Sequence, residues 1–326
     1  VFRAYYSMPD DITDADGNPV NAFYGFARFL GDFIEQVNPE HVAVAFDESL
    51  TTSFRTSIYP EYKANRTTTP DDFRGQVGLV KEEETMVAEA SFPFAVAFED
   101  DDVIVVDKPA GLVVHPGAGR TRGTLANGLL SRYPEIAELD PEYRWGIVHR
   151  IDRDTSGLLI VAKNERAFEH LQSALKRREI NRVYLTLVAG QFGSATGTVE
   201  APVGRDPVEP TRMAVVATGR PARTHYQRVA AWEGADASLA SVRLETGRTH
   251  QIRVHMQAIG HPVVGDPVYG RRRSTPGDPG RTWLHAASLT FEHPSGSGPT
   301  TVRSDLPADL SGSLAELGEP TIGALP

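Results

Sequence analysis

The 326-residue chain has no cysteine, which excludes disulfides, thiolate nucleophiles and Cys-ligated zinc and fits a reducing compartment. No apolar run approaches the ~20 residues needed to span a bilayer. A basic-then-apolar secretion pattern is missing from the N-terminus. These absences predict a cytoplasmic protein with no membrane partner. The sequence opens on Val1 and not on Met, as a piece of a longer chain would. No internal repeat is evident. Positive charge is also in short supply, since the net charge is −10, the wrong sign for a phosphate binder. Its distribution is uneven, however. Residues 108–290 carry 25 Lys and Arg against 17 Asp and Glu, a net +8, and the remaining residues sum to −18. A basic middle between acidic flanks is the footprint expected of a surface that meets nucleic acid.

What is present divides the chain in two. Asn21–Ile34 has helical spacing, with Ala22, Phe26, Phe29 and Phe33 along one face. His41–Phe46 then reads as a short buried strand with the carboxylate of Asp47 at its C-terminal end, a common place for a site in an α/β sheet. Ser53-Phe54-Arg55, Tyr59-Pro60-Glu61-Tyr62-Lys63 and Thr69-Pro70-Asp71-Asp72-Phe73 follow in order. This succession resembles the 5′-nuclease (flap endonuclease-like) domain attached to bacterial DNA polymerase I. The resemblance implies that Asp47 is a metal ligand and that Arg55 and Lys63 reach a scissile phosphate. Two ions held ~4 Å apart need several carboxylates. The opening strand and the later acidic cluster of that family are not in this sequence, so residues 1–82 are read as a truncated, partial α/β segment with no metal site. Residues 83–96, opening with Glu82-Glu83-Glu84 at their edge, read as a linker, and residues 97–326 as a second domain.

The second domain predicts mixed α+β structure. Val103–Val106 reads as a strand running into a Lys108-Pro109-Ala110-Gly111 turn, and Thr124–Tyr133 as a helix capped by Thr124. Gly157–Ala162 predicts a buried strand, Asn164–Arg178 a capped helix, and Arg182–Gly190 a strand with β-branched alternation. Further strands are expected at Arg223–Val229, Ala240–Glu245 and Trp283–Phe291, with a helix over Arg248–Ile259. The tail after Pro307 is acidic and rich in small residues, and predicts only a loose terminal turn.

The most informative stretch is Gly146-Ile147-Val148-His149-Arg150-Ile151-Asp152-Arg153-Asp154-Thr155-Ser156-Gly157. About a hundred residues later comes Leu244-Glu245-Thr246-Gly247-Arg248-Thr249-His250-Gln251-Ile252-Arg253-Val254-His255. Lys108-Pro-Ala-Gly, Val114-His115-Pro116-Gly117-Ala118-Gly119, Arg177-Arg178-Glu179-Ile180, Thr224-His225-Tyr226, Gly265-Asp-Pro-Val-Tyr-Gly270 and Leu284-His285-Ala286 complete the order. Over residues 98–291 the chain resembles the RluA/RluD-type pseudouridine synthases. The one departure inside the main motif is Ile151 where that family usually has Leu. The family resemblance implies a mixed, largely antiparallel sheet with flanking helices, and a cleft with Asp152 on its floor.

It also implies a reaction. Uridine becomes pseudouridine when the bond from C1′ to N1 of uracil breaks, the base turns, and C5 bonds to C1′. Atoms and electrons balance internally, so no cofactor and no metal are expected. The chemistry calls for an anionic group beside sugar and base, a group to move the C5 proton, and a dry pocket that holds the detached uracil. Asp152 fits the first role. A carboxylate there could add to C6, add to C1′, or abstract a proton to give a glycal, and the sequence does not choose. By resemblance, Tyr184 packs on the base and is a candidate for moving the C5 proton, and Arg253 pairs with the catalytic Asp. Arg150 fills the gap left by the flipped uridine, which offsets part of the flipping cost. His149, Thr155, Arg248, His250 and Gln251 are added as candidate substrate- or RNA-binding positions. Lys176, Arg177, Arg178, Arg182 and Arg271–Arg273 are candidate phosphate contacts. The implied partner is RNA, of the 23S-type large-subunit ribosomal kind or a ribosome-assembly intermediate, bound by a monomer. Members most like this chain carry a small S4-type RNA-binding domain where the nuclease-like segment stands here. A metal-dependent nuclease working through Asp47, and an RNA-binding factor in which Asp152 is dispensable, are the rival readings.

Overall fold

The computed structural model describes residues 88–89, 94–116, 122–139, 145–209, 211–270 and 276–325. The expectations for residues 1–82, including Asp47, Arg55 and Lys63, lie outside these residues, as do Gly117–Gly119 and Arg271–Arg273. The chain divides into two compact units, Val1–Thr85 and Met86–Pro326, and the second is described here.

Its centre is a ten-stranded sheet. Strand β1 (Ala95–Glu99) pairs antiparallel with β2 (Val103–Lys108), and β2 with β3 (Ser156–Ala162). On the other side, β4 (Asn181–Ala189), β9 (Ala237–Leu244) and β8 (Arg223–Trp232) form a second antiparallel group, with β5 (Thr196–Glu200) and β12 (Ile322–Gly323) on β8. A late strand, β10 (Leu284–Glu292), joins them. It is antiparallel to β4 and parallel to β3 through only two residue pairs, His285↔Ser156 and Ala286↔Gly157. At that seam Gly157 has φ +103°, and a Cβ there would lie 2.3 Å from the Ala286 carbonyl oxygen, so the close approach requires glycine. Strand β11 (Pro299–Arg303) pairs with β10, and β6 (Val203–Arg205) with β7 (Met213–Val215) forms a separate ribbon.

Every residue of β3 is buried, as its unbroken apolar run predicts. Helix α1 (Leu125–Arg132) starts at Thr124, which forms a reciprocal capping box with Asn127 and satisfies two otherwise orphaned donors. Helix α2 (Glu165–Lys176) starts at Asn164, whose side chain accepts from the Ala167 N–H, and buries Phe168, Leu171 and Ala174 against the β2–β3 face. It stops two residues before the predicted end because Arg178 turns left-handed at φ +64°. Helix α3 (Gln251–Ala258) begins later than Arg248. The Gln251 carboxamide accepts from the Arg248 N–H and the Thr246 hydroxyl, holding those residues in a turn, and His250 takes φ +57°.

The expected loose tail is corrected. Ala308–Leu317 is a helix, α4, with Leu310 and Leu314 one turn apart and buried. Its Ser313 hydroxyl accepts from the buried Trp283 indole at 2.7 Å. Apolar spacing at i, i+4 outweighs the small-residue composition. No helix among the described residues is long and apolar enough to cross a membrane.

Candidate active site

The loop that carries Asp152 lies between Val148 and the start of β3, and its backbone is fastened from two sides. Lys108, wholly buried, donates from Nζ to the carbonyls of Pro109, Leu112 and Arg153 at 2.7, 2.9 and 2.8 Å. Burial pushes the Lys108 amine down to about 7, with Asp154 and Asp152 opposing. Three carbonyl acceptors at hydrogen-bond distance suit the ammonium form, whose three donors they use completely. From the other side Arg281 donates from Nη1 to the Asp154 carbonyl at 3.0 Å and from Nη2 to the Ser156 hydroxyl at 3.2 Å. Ile151 is buried beneath the loop, and this leaves the Asp152 side chain one-fifth exposed, facing a cleft of about 540 Å³.

Arg253 comes to Asp152 from α3, 101 positions later in the chain, with Nη1 donating to Oδ2 at 3.1 Å. The pair expected from the sequence is therefore formed, but it is only half of the arrangement. Nε and Nη2 of Arg253 fork onto Asp266 at 2.6 and 2.9 Å, and the Asp266 side chain is fully buried. Asp266 also accepts from the Val268 and Tyr269 N–H groups at 2.9 and 3.0 Å. Burial favours the neutral form of both partners; the bonds between them outweigh it, pulling Asp266 below its ordinary value and Arg253 above its own. The guanidinium lies over the Tyr269 ring, 4.9 Å from its centroid. In the sequence Asp266 stands out only as a member of the Gly265–Gly270 stretch, with no role attached. The available signal was its type, because a buried carboxylate demands a cationic partner.

Tyr184, on β4, is buried in the cleft wall. Its hydroxyl makes no hydrogen bond to a described protein group. Burial pushes the phenol up, Arg182 opposes and the Asp152 charge adds to the rise, so it is protonated at neutral pH. His250 Nδ1 shares a hydrogen bond of 2.9 Å with the Tyr269 hydroxyl, which itself accepts from the Met213 N–H. Burial lowers its pKa, which keeps the ring neutral at pH 7.

The other candidates separate into three kinds. Arg150 is exposed at the cleft and makes no hydrogen bond to a described group. Lys176, Arg178 and Arg248 also line the cleft, but Arg178 is tied to Glu245 at 2.9 Å and Arg248 donates to the Pro221 carbonyl at 3.2 Å. Burial and the charges of Arg220 and Arg178 lower the Arg248 pKa. Arg177 does not line the cleft; it bonds Glu179 at 2.8 Å and the Ser173 hydroxyl at 2.6 Å. Gln251 is spent on the protein, since its Nε2 also donates to the Arg223 carbonyl and the Thr224 hydroxyl. His149 accepts at Nε2 from the Ile160 N–H at 3.3 Å, and burial together with Arg182 pushes it down to about 3. Thr155 is 2% exposed, lines the cleft, and leaves its hydroxyl unpaired. Arg182, one of the candidate phosphate contacts, is buried in the cleft wall. Among the described residues no group of three or more His, Asp or Glu is placed to hold a metal.

An acid held on a fastened loop, aimed by a doubly anchored guanidinium and facing a neutral phenol, can act as a nucleophile or as an anionic stabiliser inside a semi-enclosed pocket. Residues 102–258 match the RNA pseudouridylate synthase family, and residues 1–107 match the N-terminal resolvase-like domain of 5′-3′ exonucleases. An uncharacterized RNA pseudouridine synthase of Chloroflexus aurantiacus is 51% identical over 211 residues, covering 65% of this chain and 65% of that protein. The ribosomal large subunit pseudouridine synthase D of Nitrosomonas europaea is 45% identical over 250 residues, covering 75% of this chain and 71% of that protein. Among solved structures, human RNA pseudouridylate synthase domain containing 1 is 26% identical with a TM-score of 0.51, covering 72% of this chain and 97% of that one. Human RNA pseudouridylate synthase domain containing 4, 20% identical with a TM-score of 0.54, shares the fold and covers 70% and 94%.

Proposed function

Because the chain belongs to the RNA pseudouridylate synthase family, we propose that it isomerises uridine to pseudouridine in large-subunit ribosomal RNA, with Asp152 as the catalytic carboxylate. The substrate class follows the printed name of the Nitrosomonas europaea relative. The observation that carries the site assignment is the Asp152–Arg253–Asp266 relay, in which a buried guanidinium holds two carboxylates, of which Asp152 alone faces the cleft.

Each group then has a task. The target nucleotide leaves its stack and enters the cleft, and the exposed Arg150 side chain takes its place in the RNA. The uracil lies against the Tyr184 ring. Asp152 supplies the negative charge that promotes scission of the bond from C1′ to N1, and the base turns in the pocket to present C5 to C1′. The C5 proton then leaves to water and N1 takes one up, so nothing is gained or lost overall. Tyr184, protonated at rest, serves first as a ring to pack on and then as the hydroxyl nearest the departing proton. The enzyme works in the cytoplasm as a monomer, with residues 1–82 a truncated nuclease-like segment, residues 83–96 a linker and residues 97–326 the synthase domain.

The test uses large-subunit ribosomal RNA from cells lacking this class of enzyme, carrying tritium at uracil C5. With no added metal, the intact chain releases tritium and Asp152→Asn does not. Release by Asp152→Asn at the wild-type rate would overturn the assignment, and an absence of release from the folded wild-type chain would overturn the substrate class.

A further inference from the structure

Arg182 is 6% exposed, lies in the cleft wall two residues before Tyr184 on β4, and has no carboxylate partner. Its side chain makes no hydrogen bond or ion pair to any described group, and its Nε is both buried and unpaired. That is an expensive arrangement, because a guanidinium taken out of water needs a counter-charge or a full set of acceptors. Every other arginine named at the cleft differs. Arg253 has two carboxylates, Arg178 has Glu245, Arg248 has a carbonyl, and Arg150 is in solvent. The surroundings of Arg182 raise the cost further. Burial, the largest influence on both neighbours, holds His149 and Tyr184 in their neutral forms, so neither answers the Arg182 charge.

The guanidinium is nevertheless held in place. Gly247, in the turn braced by Gln251, packs directly on it, and a Cβ at that position would lie 2.8 Å from Arg182 Nη1. A buried, oriented, uncompensated fork of N–H donors beside the base-stacking tyrosine is built for an anion that arrives with the substrate. A uracil carbonyl would satisfy a hydrogen bond but leave the charge unanswered. A phosphate supplies both, in the two-pronged geometry that arginine favours.

We propose that Arg182 is the inner phosphate anchor of the cleft, taking a backbone phosphate of the RNA next to the flipped uridine. This rests on the proposed RNA-uridine reading of the cleft. It makes the cost of burying Arg182 a stored preference for bound RNA, and it separates this residue from the rim cations, which meet phosphate in solvent.

The test compares wild type, Arg182→Met and Arg182→Lys with an in vitro transcript of large-subunit ribosomal RNA labelled with tritium at C5. Binding is measured across a salt series, alongside tritium release. Arg182→Met should weaken binding about tenfold at low salt and flatten the slope of log affinity against log salt by ~0.7–0.9, the contribution of one phosphate. The kinetic loss should fall on KM more than on kcat. Arg182→Lys should keep the slope. Without RNA, Arg182→Met should melt at or above the wild-type temperature, since it removes an unanswered buried charge, and RNA should raise its melting point less than that of the wild type. An unchanged salt slope, with the loss confined to kcat, would assign Arg182 to the base and overturn the proposal. A melting point well below wild type for Arg182→Met would show a structural role and overturn it as well. Should the wild type release no tritium, the synthase reading fails on its own, and the salt slopes still decide whether Arg182 meets phosphate.

Discussion

Replacing Asp266 by alanine removes the deeper of the two carboxylates on Arg253 and leaves a buried guanidinium with a single 3.1 Å bond to Asp152. Breaking a buried pair in this way costs about 3–5 kcal/mol. The Val268 and Tyr269 N–H groups lose their acceptor in the same step. For a folded unit of this size each kcal/mol lowers the melting point by about 2–4 °C, so the expected fall is roughly 6–20 °C. Activity should fall further than stability explains, because Arg253 is then free to swing onto Asp152 in geometries that do not aim it. Circular dichroism melting, with tritium release measured well below the variant's transition, separates the two effects. The double variant Arg253→Met/Asp266→Leu sharpens the comparison. Apolar groups of similar volume can replace a buried pair at little cost, so it should recover most of the melting point and none of the activity. An Asp266→Ala protein that melts within a degree of wild type, or an active double variant, would refute the relay.

Three further outcomes are expected. Tyr184→Phe keeps the ring and removes the hydroxyl, and should slow tritium release by about 10²-fold or more if the phenol assists the C5 proton; a wild-type rate would reduce Tyr184 to a packing surface. Arg150→Ala should leave the melting point unchanged, as exposed substitutions do within ~0.5 kcal/mol, yet lower kcat/KM for structured RNA more than for a single-stranded oligonucleotide; equal losses on both would exclude a role in flipping. His149, with its folded pKa pushed from 6.5 to about 3, stays neutral in the fold while the unfolded chain takes up a proton. Stability from this residue is therefore complete above pH 6.5 and falls as pH falls towards about 3, by at most about 1.4 kcal/mol per pH unit. The denaturation midpoint should drop less between pH 7 and pH 5 in His149→Gln than in wild type, and equal drops would exclude the residue as a source of acid sensitivity.

The sequence was most legible where local chemistry and burial agree. The apolar run of β3, the Thr124 and Asn164 caps and the alternation in β4 were visible, and the structure places those elements within a residue or two of the expected bounds. Asp152 and Arg253 could be paired only through the resemblance, since no local pattern joins positions 101 apart. The short strands β5, β6 and β7 escaped because three to five partly exposed residues carry too little periodicity. Helix α4 was hidden by composition, its two buried leucines outnumbered by small and acidic residues. Asp266 and Arg182 are the instructive pair. Each is a charged residue that looks like surface in the sequence and is buried in the fold, and burial is set by distant strands that no local window contains.

The insertion of β10 between β3 and β4 sets an order in time as well as in space. A chain made from its N-terminus completes Asp152 long before Leu284 exists, and 132 further residues must be added before the strand that joins the two antiparallel groups can emerge. At ~5–20 residues per second that interval is roughly 7–26 s. Throughout it Asp152 belongs to one half of the sheet and Tyr184 and Arg253 to the other, with no seam between them. The growing polypeptide therefore cannot bring Asp152, Tyr184 and Arg253 together across one continuous sheet until β10 has been made.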